Sequence, residues 1–211
     1  MKLMDMTWGD VKPGGTAVVP IGSVEQHGPH MPLGADTFIA EAVSNEIASK
    51  LNAVVAPSVA PGVSSEHMDF PGTLSLSQKS FKNQLTDVCR SLRKSGFRRI
   101  ILVNGHGGNR RALSSIRLRG VRHLDIVGQI KGYDHAGEIE TSLMLCLHPD
   151  KVRVKKIRMH DFRFPGKKSW RTIDYSKSGV LGDPTKASKQ KGRAYFRQIV
   201  SQLMGELKNE R

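Results

Sequence analysis

The sequence predicts an α/β fold in which a mainly parallel sheet is covered by helices on both faces. Three observations predict it. Short apolar runs bounded by glycine alternate with segments of helical apolar period, most histidines fall in the loops that follow the runs, and no repeat or low-complexity linker breaks the pattern. Strands that alternate with helices are joined by crossovers, so they run parallel and are buried on both faces. With 211 residues the chain can bury one large core, and 1–211 reads as a single domain.

Thr16–Ile21, held between Gly14-Gly15 and Gly22, is a buried strand. Asp36 suits the N-cap of a helix from Thr37 to Leu51, because Ile39, Val43, Ile47 and Leu51 recur every four residues. Ala53–Ala56 is a second strand. Pro61–Leu76 has no helical period and carries turn-forming glycine and proline, which predicts a long loop. Phe81, Leu85, Val88 and Leu92 mark the next helix, and Ile100–Val103 the third strand. That strand runs directly into Asn104-Gly105-His106-Gly107-Gly108-Asn109 and a basic helical stretch to about Leu118. Leu124–Ile130 reads as a fourth strand and Glu138–Leu147 as a helix. Pro184 precedes an amphipathic helix from about Thr185 to Leu207, striped by Tyr195, Ile199, Leu203 and Leu207.

Composition narrows the function classes. The chain is 38% hydrophobic and 25% charged, with no apolar run long enough to span a bilayer. Met1–Met6 lacks the basic and apolar regions of a signal peptide, so a cytoplasmic location is expected. Cys89 and Cys146 sit in apolar helical patterns, not in a CxxC pair, and read as small core residues. Lys and Arg number 5 against 9 acidic residues in 1–89, but 28 against 10 in 90–211, a balance of +18. No zinc-finger, RNP or basic-zipper pattern accompanies this charge, so nucleic acid is not the expected partner. The surplus bears on substrate choice and favours an anionic one.

Five of the eight histidines, at 27, 30, 67, 106 and 135, fall in the post-strand loops, beside Glu25, Glu66 and Asp36. In such folds ligands gather at the carboxyl ends of strands. If the chain stays extended through Glu25-Gln26-His27, Glu25 and His27 face one side. Asp36, at a helix start nine residues later, offers a carboxylate able to bridge two ions. Mixed nitrogen and oxygen donors of this kind suit Zn, Mn or Fe rather than Ca. On spacing alone, a helix-capping Asp36 and a hydrogen-bonded His27 serve equally well. Gly105, Gly107 and Gly108 let the chain turn sharply and leave room for a substrate. His30 and His67 read as supporting residues of the site, and Trp170 and Tyr175 as pocket or packing aromatics.

Longer motifs carry a resemblance. Residues 20–37, PIGSVEQHGPHMPLGADT, resemble the signature of the creatininase family, and further matches follow in family order. These are Glu66–Thr73, Asn104–Asn109 (NGHGGN), His135–Ser142 (HAGEIETS) and Gly182–Thr185. The resemblance implies a three-layer α/β/α sandwich, often hexameric, with a two-metal centre that hydrolyses small amide C–N bonds. It assigns Glu25 and His106 to one metal, His27 to the other, and Asp36 to both. Creatininase itself has a glutamate at the place of Gly108, so a second-metal carboxylate is missing here, and Glu138 is the replacement expected. The resemblance makes His135 the catalytic histidine, with Glu140 orienting it or the reacting water, and sets Gly107, Gly108 and Asp134 against the substrate. Only 29 residues separate His106 from His135, a shorter insertion than the family usually has. With Gly108, this is more similar to the family's archaeal formamide hydrolases of flavin and deazaflavin biosynthesis, whose substrate is a phosphorylated ribosylaminopyrimidine. Creatinine hydrolysis, cleavage of a modified peptide as in mycofactocin maturation, and an anion- or nucleic-acid-binding protein without catalysis are the other expectations.

Overall fold

Five of the six residues of β1 (Thr16–Ile21) are buried, as a strand covered on both faces requires. It forms the middle of the sheet in the computed structural model, which describes residues 1–132, 134–163 and 171–209. β1 pairs in parallel with β2 (Val54–Val55) on one side and β3 (Arg99–Asn104) on the other, and β3 pairs with β4 (Val121–Asp125), giving the order β2-β1-β3-β4. Alternate residues serve opposite faces. Val18, Ile101 and Val103 pack with α1 (Ala35–Leu51), α4 (Glu138–Leu147) and α6 (Lys189–Lys208). Ala17, Val19, Ile21, Ile100 and Leu102 pack with Phe81, Leu85, Cys89 and Leu92 of α2 (Gln78–Lys94) and with Ala112 and Leu113 of the short α3 (Arg110–Ser114). The result is the expected α/β/α sandwich.

Several boundaries differ from expectation, each for a local reason. Gly34, not Asp36, is the N-cap of α1, and Asp36 lies inside the first turn. β4 starts at Val121 because pairing with Ile100 begins there, and it ends at Asp125; Gly128 then adopts φ +98, which no strand sustains. α3 stops at Ser114, four residues short of the expected end. α6 begins at Lys189 with Ser188 accepting from Lys191 N–H, while Pro184–Lys186 forms a separate turn capped by Asp183. Its stripe is as expected: Ile199, Leu203 and Leu207 are buried. The loop before α2 contains one helical turn, Ser65–His67. A further one-turn helix, α5 (Thr172–Tyr175), had no sequence signal. Trp170 lies outside the described residues, and Tyr175 carries the Arg163 guanidinium 5.7 Å above its ring. Both cysteines are free, with Cys89 buried. Among the described residues no helix is long and apolar enough to cross a membrane.

Candidate metal centre

The site assembles where β1, β3 and the start of α4 meet the first turn of α1. After β1 the chain is held by Glu25 N–H donating to the Leu33 carbonyl at 2.9 Å and by a bridge between Val24 and Leu74. Glu25 and His27 both turn inward and are fully buried. α1 can start against these strand ends because Gly22 and Gly105 lack side chains: a Cβ at Gly105 would lie 2.7 Å from the Asp36 carbonyl oxygen. The start of α1 thus brings the Asp36 carboxylate between the two histidines. Its Oδ1 is 3.2 Å from His27 Nε2 and its Oδ2 is 3.1 Å from His106 Nδ1.

Each imidazole is fixed by the hydrogen bond at its other nitrogen. His27 Nδ1 lies 3.1 Å from the Glu25 carbonyl oxygen and His106 Nε2 lies 2.9 Å from that of Val63. Carbonyls accept protons only, so these nitrogens are the donors, which leaves His27 Nε2 and His106 Nδ1 to face the carboxylates, as N–H donors when the rings are charged and as metal donors when they are neutral. Two asparagines of NGHGGN hold the turn in place. Asn104 Nδ2 donates to the His106 carbonyl at 2.7 Å, and Asn109 Nδ2 donates to the Gly22 carbonyl at 3.0 Å while its Oδ1 accepts Val63 N–H at 2.9 Å.

Two donor triplets result, Glu25/Asp36/His106 and His27/Asp36/Glu140, each with ligand atoms within 4.8 Å of one another. A third grouping, Glu25/His27/His135, overlaps both. Glu140 reaches the cluster from the first turn of α4, its Oε2 3.7 Å from His27 Nε2 and accepting Ala136 N–H at 2.6 Å. Glu138, the replacement expected from sequence, does not. Positions two apart on a helix point about 200° apart, so only one of the pair can face the sheet. Glu138 turns outward, where it accepts from Tyr195 Oη at 2.6 Å and Lys191 Nζ at 2.9 Å. The sequence signal for Glu140 was its place among Ile139, Thr141, Leu143 and Met144, a wholly buried stretch.

The residues fit divalent cations. Glu25, Asp36 and Glu140 are nearly inaccessible, yet both Glu25 oxygens and Asp36 Oδ2 lack a hydrogen-bond donor among the described residues. Buried carboxylates without lysine or arginine partners carry a heavy desolvation cost unless a cation joins them. The protonation equilibria carry the same mark. Burial opposes charging of His27, yet Asp36, Glu140 and Glu25 raise its pKa to about 10. Burial raises that of Glu140 to about 8, against the pull of His27. The cluster attracts positive charge, which metal ions supply as well as protons.

The other expected residues surround this centre. His135 stacks on His67 and lies 4.6 Å from His27. Its Nε2 is 2.9 Å from the Gln26 carbonyl oxygen, and its Nδ1 faces Glu25 Oε1 at 3.8 Å. Burial, with His67 and His27 nearby, holds its pKa well below the usual histidine range. Gln26, which sequence reasoning passed over, donates from Nε2 to the Gly179 carbonyl at 3.0 Å and lies 2.9 Å from His67 Nδ1. His67 then faces Glu25 Oε1 at 3.4 Å, and His30 Nε2 lies 2.9 Å from Thr141 Oγ1. Gly107, Gly108, Asp134 and His135 line one cleft of about 410 Å³ with Glu25, Asp36, His106, Glu140, Glu66 and Arg110. Asp134 also accepts Glu138 N–H at 3.2 Å and so caps α4. Among the described residues Arg110 is the lysine or arginine that lines this cleft, its guanidinium paired with Asp125.

An α/β sandwich with histidine and carboxylate donors at its strand ends, beside an open cleft, is the build of a metal-dependent hydrolase. The chain belongs to the creatininase family of amidohydrolases, which act on C–N bonds: the family model described as creatinine amidohydrolase matches residues 4–207. It is 37% identical over 207 residues to the mycofactocin precursor peptide peptidase of Mycobacterium tuberculosis, covering 87% of this chain and 80% of that one. To the creatinine amidohydrolase of Pseudomonas putida it is 28% identical over 231 positions, covering 92% and 88%. The crystal structure of a creatinine amidohydrolase superposes with a TM-score of 0.87 at 25% identity, covering 99% and 97%. Related creatininase structures are described as Zn-Zn and Mn forms.

Proposed function

We propose that this protein hydrolyses an amide bond of a peptide at a centre of two divalent cations, Zn or Mn, bridged by Asp36. The observation that carries the reading is the sharing of Asp36 between two donor triplets, one oxygen toward each. Glu25 and His106 complete one position, and His27 and Glu140 the other. When bound, such ions lower the pKa of water toward ~7 and polarise the amide carbonyl. His135 relays a proton to the leaving nitrogen through Nδ1, the ring nitrogen open toward Glu25, while its Nε2–H is held by the Gln26 carbonyl. Gly107, with no atom within 4 Å of a built Cβ, leaves space for the acyl part, and Arg110 at the rim suits a carboxylate. The peptide reading is supported by 37% identity to a relative named as a peptide peptidase.

A formamide is the second reading, favoured by Gly108 and the 29-residue spacing from His106 to His135. A phosphate on it would find Arg110 as its cation in the cleft. The test is to offer zinc- or manganese-loaded protein three amides in parallel: a short peptide with a free carboxyl end, the formylaminopyrimidine ribotide, and creatinine. New peptide termini by mass spectrometry support the first reading, formate the second, and creatine a creatininase-like activity. Absence of all three products would overturn the amidohydrolase reading.

A further inference from the structure

Glu66 belongs to none of the donor triplets among the described residues, yet it lines the same cleft as Glu25, Asp36 and His106. It reaches that place because its loop is clamped onto the turn after β3. Val63 N–H is held by Asn109 and the Val63 carbonyl by His106 Nε2, at 2.9 Å each. Ser64 N–H is bound by Ser75 Oγ at 2.9 Å. The clamp needs Gly108 to be glycine, since a Cβ there would overlap the Val63 carbonyl oxygen. Glu66 Oε1 lies 3.3 Å from that same point, so a carboxylate from the loop fills the volume that a side chain at 108 would otherwise enter. Among the described residues no lysine or arginine pairs with it; its contact is Ser65 Oγ at 3.4 Å.

We propose that Glu66 is the carboxylate that accepts the proton of the attacking water. This rests on the amidohydrolase reading above. One O–H bond of water breaks, its proton passes to a Glu66 oxygen, and the water oxygen bonds to the amide carbonyl carbon. As the C–N bond breaks, Glu66 releases that proton and the neutral His135 relays it at Nδ1 to the leaving nitrogen, so both side chains end as they began. A base must reach both the cleft and solvent, and half-burial on a loop gives Glu66 both. Burial also raises its pKa from the ordinary carboxylate range, which strengthens it as a base.

The experiment compares wild type, Glu66→Gln and Glu66→Asp, all zinc-loaded, with acetohydroxamic acid as the binding probe. A hydroxamate binds metal and gives its proton to a neighbouring carboxylate, so calorimetry reads Glu66 without turnover. The expected result is unchanged zinc content in all three proteins and hydroxamate affinity at least about tenfold weaker in Glu66→Gln. Turnover falls about 10²–10⁴-fold in Glu66→Gln and less in Glu66→Asp. If zinc content drops, Glu66 is a ligand and the proposal is overturned. Unchanged hydroxamate affinity in Glu66→Gln overturns it equally. A wild type without turnover whose hydroxamate binding still depends on Glu66 refutes the substrate reading and supports this one.

Discussion

Replacing Gly108 by alanine tests how far the centre depends on the clamp between its two loops. The added Cβ would overlap the Val63 carbonyl oxygen and stand 2.5 Å from His106 Nε2. Gly108 has no positive φ, so backbone strain does not enter and the whole effect is steric. To restore van der Waals separation the carbonyl must retreat by on the order of 1 Å. That ends its 2.9 Å bond to His106. His106 Nε2 would be left with Ser64 Oγ at 3.3 Å, and a poorly paired buried donor costs up to about 1–3 kcal/mol. The larger effect is on metal, because the lost bond fixes which His106 nitrogen faces Glu25 and Asp36. Loss of such an orienting partner lowers metal affinity about 10–100-fold. Titration of stripped protein with zinc against a chromophoric chelator measures it. Gly107→Ala is the control, since no atom lies within 4 Å of its built Cβ, and it should bind zinc like wild type. Equal zinc affinity in Gly108→Ala and wild type would refute the argument that Val63 positions His106.

Elemental analysis should separate the carboxylates: Asp36→Ala loses both ions, Glu140→Gln loses one, and Glu138→Ala keeps both, since Glu138 faces Tyr195 and Lys191. Retention of full occupancy by Asp36→Ala would dissolve the centre as assigned. Chelation should also destabilise the fold, because it leaves the buried Glu25, Asp36 and Glu140 with only His27 and His106 as cationic partners. A metal held at 100 times its Kd contributes about 2.7 kcal/mol. For 211 residues, at about 2–4 °C per kcal/mol, Tm should fall by roughly 5–11 °C in calorimetry and recover with zinc. No fall with full removal of metal would argue against a cation at the cluster.

The order of elements was legible because β1 and β3 are continuous apolar runs and α1, α2, α4 and α6 keep a four-residue stripe. What escaped was set by contacts distant in sequence. β4 takes its ends from pairing with β3, and its own residues Val121-Arg122-His123 carry little apolar signal. Asp36 looked like a cap because Asp favours that position, but the helix begins two residues earlier, where Gly34 allows it. The donors Glu25, His27, Asp36 and His106 were visible in motifs, and they do converge. Glu138 was chosen over Glu140 where helical phase decides, since the buried face of α4 includes residue 140 and leaves 138 outside. Gln26, Asn104 and Asn109 carry no chemistry of their own, so nothing in residue type marked them as the groups that hold the imidazoles and loops in place.

The residues that could hold ions stand on buried segments beside the sheet, whereas Glu66 lies on the loop before α2 and Gly107 on the turn after β3. The two sets answer to different pressures. A change at Glu25, His27 or Asp36 would disturb buried packing and the donor cluster together. The loop 61–76 can vary at exposed positions such as Ser65 and Met68, provided Val63 keeps its carbonyl on His106 and position 108 stays glycine. Variation of the cleft wall is therefore open on the outer part of this loop, while Val63 and Gly108 are held to the centre they brace.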